Sequence, residues 1–228
     1  MNNPSNHSRR QFLQSSSALL LAGVTSASRA QSVPATGDYW QQVRAQFSFD
    51  EDAVPMNAAN LCPSFRAVAE RVSQLTADID HDCSFNNRAK FSTMLEDSRA
   101  RVASQLNVSG DEIALVRNTS EANNIINNGL PLNEGDRVLL WDQNHPTNNV
   151  AWDVRAARFG LHIDRVSTPG QPQNAQDLID AFAAKLSDRT RVLAITHVSN
   201  LSGIALPVTE LTAMAHARGI HVHLDGAQ

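Results

Sequence analysis

Thr119, Ser120, His145, Asn200, Asp225 and Gln228 carry side chains that could do chemistry, and each follows closely on an apolar, strand-like run. Thr119 and Ser120 open a helix-like stretch. Two hydroxyls beside free backbone amides at a helix N-terminus form a phosphate cradle, with no basic residue strictly required. The same Thr-Ser-Glu stretch also fits an ordinary capping arrangement. His145 offers an aromatic ring, or a plain loop histidine. Asp225 offers a carboxylate, or simply turns the chain before Gly226. Asn200 and Gln228 add amides. Each residue has a structural use when taken alone. Together, a phosphate site, an aromatic ring, an acid and two amides suit a phosphorylated heteroaromatic cofactor.

Bringing these residues together requires particular elements. Glu112–Val116, Arg137–Trp141, His162–Val166, Arg191–Thr196 and Ile220–Leu224 read as strands. Helical patterns at Ala122–Asn128, Asn149–Phe159, Ala175–Leu186 and Pro207–Arg218 separate them. Such alternation predicts an α/β fold of parallel β-α-β units with right-handed crossovers. The strand ends then gather on the carboxyl edge, where open sheets place their ligands. Upstream, Tyr39–Phe47 has helical spacing. Pro63 could open a helix running through Phe65, Val68, Ala69, Val72 and Leu75. Residues 79–89 read as a polar connector, and Phe91–Leu106 as a second amphipathic helix.

The first 30 residues have a different character. Arg9 and Arg10 precede a mild apolar run, Ala18–Val24, and then Ser28-Arg29-Ala30, small where a signal peptidase reads. This is the order of a signal peptide, and Ser8-Arg9-Arg10-Gln11-Phe12-Leu13-Gln14 resembles the twin-arginine type. The expectation is a leader over residues 1–30, export through the twin-arginine machinery, and a periplasmic or secreted product. Losing Arg9, Arg10 and Arg29 with the leader leaves 16 of 19 basic residues against 23 acidic ones, formally −7. An acidic chain without a basic cluster argues against a nucleic-acid partner. No apolar stretch after the leader is long enough to span a bilayer. Cys62 and Cys83 could pair in an oxidising compartment, but without metal-ligand spacing they read better as buried thiols.

Val116-Arg-Asn-Thr-Ser-Glu-Ala-Asn123, His197-Val-Ser-Asn-Leu-Ser-Gly-Ile-Ala-Leu-Pro207 and His223-Leu-Asp-Gly-Ala-Gln228 resemble three consecutive motifs of the class V aminotransferases. That family of pyridoxal-phosphate enzymes includes cysteine desulfurases and isopenicillin N epimerase-like proteins. The likeness runs from about Met56 to Gln228. It implies the mainly parallel, three-layer sheet of the fold type I large domain, incomplete here. It divides the chain into a leader (1–30), an N-terminal segment (31–90) and a partial cofactor-binding domain (91–228). It implies that Thr119 and Ser120 hold the cofactor phosphate and that His145 stacks on the pyridine ring. Asn200 and Gln228 would bond near the ring's 3-oxygen, and Asp225 would pair with the ring nitrogen. A carboxylate there keeps the ring electron-poor, as carbanion chemistry at Cα requires. Asn57 and Ala58 stand where family members contact an amino-acid substrate.

The resemblance leaves one role vacant. The family's Schiff-base lysine lies beyond the Asp-Gly-Ala-Gln motif, and neither Lys90 nor Lys185 matches its surroundings. The expectation is therefore an N-terminal fragment of a longer enzyme, inactive by itself and homodimeric only when whole. Reaction type stays open among epimerisation, transamination and desulfuration. Two rival readings exist. His221, His223 and Asp225 alternate along a strand and so share one face, which could hold a metal for a hydrolase. The chain could also be a catalytically dead binding remnant.

Overall fold

Continuous apolar runs make strands that are buried on both faces, and two such runs form the centre of this fold. The computed structural model describes residues 39–50, 52, 56 and 61–228. The leader assigned to residues 1–30, and Asn57 and Ala58, lie outside the described residues. Two compact units part between Ser48 and Phe49. In the first, a short helix α1 (Tyr39–Arg44) sets the Tyr39 and Trp40 rings edge to face, 5.0 Å apart.

The second unit contains the sheet. In chain order it runs α2 (Arg66–His81), α3 (Phe85–Leu106), α4 (Thr119–Gly129), β1 (Arg137–Trp141), α5 (Pro146–Phe159), β2 (His162–Val166), α6 (Ala175–Ala183), β3 (Thr190–Thr196), α7 (Val208–His216) and β4 (His221–Asp225). The four strands are all parallel, in the order β2-β1-β3-β4. The first crossover therefore steps one way from β1 and the last steps the other way from β3. The gap between β1 and β3 is a topological switch point, where open sheets form a crevice at their carboxyl ends.

Alternation along the central strands sorts the core onto two faces. Leu139, Trp141, Leu193 and Ile195 pack with Leu178, Phe182, Leu211 and Ala215 of α6 and α7. Val138, Leu140, Val192 and Ala194 pack on the other face, with Trp152 of α5. Arg137 of β1 pairs through two nitrogens with Asp164 of β2, its Nε donating across 2.6 Å. The α/β expectation and four of its five strands are met.

The fifth expected strand, Glu112–Val116, does not form. Ser109 and Glu112 close a capping box that turns Gly110–Glu112 into a 3₁₀ helix. Ile113 is extended, but residues 113–116 pair with no strand among the described residues, and Leu115 and Val116 stay exposed. An apolar run becomes a strand only where a sheet edge receives it. The expected connector at 79–89 is also shorter: α2 runs to His81, and Ser84 caps α3 by accepting from the Asn87 amide at 3.1 Å. Helix α2 begins at Arg66, three residues after Pro63. Cys62 and Cys83 are free and exposed rather than buried, because this region packs almost no core.

Candidate cofactor site

Four chain segments converge on the carboxyl edge of the sheet around a cavity of about 340 Å³. Asn118, Thr119 and Ser120 come from the start of α4; His145 and Thr147 follow β1. Thr196, Val198 and Asn200 come from the end of β3 and its loop; Asp225, Ala227 and Gln228 complete the lining after β4. All six residues singled out in the sequence, Thr119, Ser120, His145, Asn200, Asp225 and Gln228, therefore line one cavity.

At the α4 end, the cap is Asn118, whose side chain accepts from the Glu121 amide at 2.9 Å. Thr119 and Ser120 are thus the first two helical residues, not the cap. Their backbone amides have no intrahelical acceptor by geometry, and both residues are exposed at the cavity. The Glu121 carboxylate reaches back to the Arg117 backbone amide at 2.7 Å and to its guanidinium at 3.0 Å. That contact fixes the entry to the helix and holds Glu121 below the usual carboxylate range, through hydrogen bonds from Arg117. The exposed terminus presents amides, two hydroxyls and the positive end of the helix dipole.

His145 caps α5, just ahead of Pro146. Its Nδ1 accepts from the Thr147 amide at 3.3 Å and lies 2.8 Å from the Thr147 hydroxyl. In the neutral ring the proton then sits on Nε2. Asn144 ties this loop down, donating from Nδ2 to the Ala194 carbonyl at 2.9 Å. The loop after β3 is braced by Ser199, whose hydroxyl accepts from the Leu201 and Ser202 amides. Gly203 takes φ +74°, a left-handed turn that favours glycine. Ser202 then donates to the Gln143 side chain at 2.5 Å, joining the two loops.

Asp225 is buried at the floor. One carboxylate oxygen accepts from the Ala227 amide at 3.1 Å, the other from Asn123 Nδ2 at 2.9 Å. The Asn123 carbonyl oxygen lies 3.1 Å from Nε2 of buried His223. Burial lowers the His223 pKa, and the nearby Asp225 charge opposes that only in part. Sequence reasoning missed Asn123 and Thr196. Thr196 Oγ1 and Asn200 Oδ1 are buried without a hydrogen-bond partner among the described residues. Two orphaned polar atoms beside a carboxylate and a helix N-terminus are groups that a polar, phosphorylated ring would satisfy. Pyridoxal phosphate fits this donor set.

Neither lysine reaches the cavity. Lys90 bonds Asp78 at 2.5 Å on the α2–α3 hairpin, and Lys185 is exposed after α6. The metal reading is not favoured either. His223 and Asp225 are both bonded to Asn123, His221 is exposed, and no metal-type cluster occurs among the described residues.

The sequence pattern of the family described as Aminotransferase class-V matches residues 65–228. The chain belongs to the class V aminotransferase family. Isopenicillin N epimerase of Amycolatopsis lactamdurans is 30% identical over 192 residues, which is 83% of this chain and 48% of that protein. A cysteine desulfurase of Cronobacter sakazakii is 36% identical over 138 residues, covering 59% of this chain and 33% of its own. The solved cysteine desulfurase CsdA of Escherichia coli superposes with a TM-score of 0.69 at 25% identity, covering 85% of this chain and 50% of that one. A C-DES mutant with glycine covalently linked to its PLP cofactor gives a TM-score of 0.72 at 23% identity, with coverages of 85% and 50%. The chain spans about half the length, or less, of the relatives it matches. Class V aminotransferases are pyridoxal-phosphate enzymes, and amino acids are their typical substrates.

Proposed function

We propose that this chain supplies the pyridoxal-phosphate-binding part of an enzyme that transforms an amino acid, of epimerase, transaminase or desulfurase type. The convergence of Thr119, Ser120, His145, Asn200, Asp225 and Gln228 on one cavity supports this most. The amides and hydroxyls of Thr119 and Ser120 bind the phosphate. His145, held by Thr147, covers one face of the ring. Asn200 and Gln228 serve the 3-oxygen, and Asp225 faces the ring nitrogen. When bound, the cofactor supplies an electron sink for chemistry at the amino acid's Cα. Asn57 and Ala58 serve the substrate.

With Lys90 and Lys185 away from the cavity, this chain alone binds the cofactor without a covalent link and gives no turnover. Residues 91–228 form the cofactor-binding domain, preceded by the 31–90 segment. The whole protein is a homodimer, exported under the twin-arginine leader at residues 1–30. A reporter fused behind that leader is exported, and Arg9→Lys with Arg10→Lys stops it; export unaffected by the change contradicts the leader.

Equilibrium binding of pyridoxal phosphate tests the site. One cofactor binds per chain, competed by inorganic phosphate, and Thr119→Ala with Ser120→Ala weakens it about tenfold, as loss of charge-assisted hydrogen bonds entails. A protein that binds no cofactor overturns the reading.

A further inference from the structure

The Asp225 carboxylate does not stand alone at the cavity floor. It is the end of a three-residue chain drawn from two elements, and every member is buried. His223 and Asp225 alternate on β4 and so share one face. Asn123 reaches them from α4, one turn beyond Thr119 and Ser120. The same helix thus carries the proposed phosphate cradle at its tip and a ligand of the carboxylate within its first turns.

The donor and acceptor arithmetic of this chain has one solution. Asp225 Oδ2 faces the Asn123 amide at 2.9 Å, and only the NH₂ end can donate to a carboxylate. The other end, Oδ1, must then accept, so His223 Nε2 carries the hydrogen across 3.1 Å. Nδ1 of His223 is therefore bare, and it is buried without a partner among the described residues. Burial disfavours a second proton there, which agrees with the lowered pKa. Reversing the Asn123 amide would set its oxygen against the carboxylate and its NH₂ against the Nε2 hydrogen. The contact with the carboxylate would become repulsive whichever tautomer His223 adopts.

We propose that Asn123 and His223 are positioning residues that fix the Asp225 carboxylate toward the cofactor's ring nitrogen. Asp225 sets which end of the Asn123 amide faces it, and His223 steadies the other end by donating to Oδ1. Asn123 holds one carboxylate oxygen while the Ala227 amide holds the other. The inference rests on the pyridoxal-phosphate reading of the cavity. Helix α4 then couples the two ends of the cofactor, since a shift of its first turn moves cradle and carboxylate together.

The test uses 4′-deoxypyridoxine 5′-phosphate labelled with ¹⁵N in the ring, which has no aldehyde and needs no lysine. At a pH above the free ring's own pKa, the wild-type protein binds the probe with its nitrogen resonance at the pyridinium position. Asn123→Leu, nearly isosteric, moves the bound resonance toward neutral pyridine and weakens the probe about tenfold. Its affinity for inorganic phosphate stays at the wild-type value. His223→Leu gives an intermediate resonance, and His223→Gln, which keeps an N–H donor, restores the original one. An unchanged resonance in Asn123→Leu overturns the relay, as does a parallel loss of phosphate binding, which marks a merely structural role. If Asn123→Leu does not fold, identical resonances in His223→Leu and His223→Gln overturn it instead. A wild-type protein that binds phosphate but not the probe overturns the cofactor reading, and the relay with it.

Discussion

Helices α2 and α3 and the four-stranded sheet belong to the same unit but are stabilised differently. Every core side chain of β1 and β3 from Val138 to Trp141 and from Val192 to Ile195 is buried. Helix α2 buries none of its residues, and α3 buries only Ala103. The hairpin of α2 and α3 is held by local polar contacts. Asn87 Nδ2 donates to the Asp82 carbonyl at 2.8 Å, and Lys90 reaches both Asp78 and Asn87. Helices α2 and α3 are amphipathic in sequence and the central strands apolar throughout, yet among the described residues only the sheet has partners for its apolar faces. The candidate site belongs wholly to the region with the core, which can hold its loops still.

Large-to-small substitutions should break this comparison most visibly. Leu193→Ala in the sheet is expected to cost about 2–5 kcal/mol by urea denaturation, whereas Val72→Ala in α2 should change stability by about 0.5 kcal/mol or less. Similar losses at both positions would mean that the hairpin carries a core of its own. Within the site, Asp225→Ala leaves the buried Asn123 donor without its acceptor. A loss of about 1–3 kcal/mol is expected, together with loss of cofactor binding. Gly203→Ala meets no neighbouring atom, so the left-handed backbone alone sets its effect. About 1 kcal/mol of destabilisation should appear in the melting curve, with the β3 loop affected first.

A pH titration gives a smaller and more diagnostic effect. His223 has a folded pKa below its ordinary 6.5, chiefly through burial. Below 6.5 the unfolded chain binds a proton that the folded chain resists. His223 therefore contributes fully above pH 6.5, and stability falls as the pH drops from there toward its folded pKa. Stability curves of wild type and His223→Gln should converge on acidification; parallel curves would show that burial does not govern this group. The smallest effect concerns Cys62 and Cys83. Both should react with a thiol reagent in the native protein at rates near those of the denatured chain, without altering the sheet.

The sheet was legible because runs such as Val138–Trp141 and Val192–Ile195 leave no polar side for water. Residues 113–116 have a similar pattern, but a strand also needs a neighbour, and no local pattern supplies one. The candidate site was legible for the same topological reason: residues after parallel strands must meet at one edge. Asn123 was not. Helix α4 holds Asn123, Asn124, Asn127 and Asn128, and residue type alone does not mark which face is buried. The spacing of Asn123 and Asn127, one turn apart and both buried, is the signal that could have found it. Exposed thiols were misjudged because cysteine's usual burial presupposes a core nearby.

A crystal structure of the protein with pyridoxal phosphate tests the central claim most directly. The account predicts the phosphate against the Thr119 and Ser120 amides, with the ring nitrogen within hydrogen-bonding distance of an Asp225 oxygen and His145 over the ring. A phosphate bound elsewhere, or a ring whose nitrogen points away from Asp225, would contradict it.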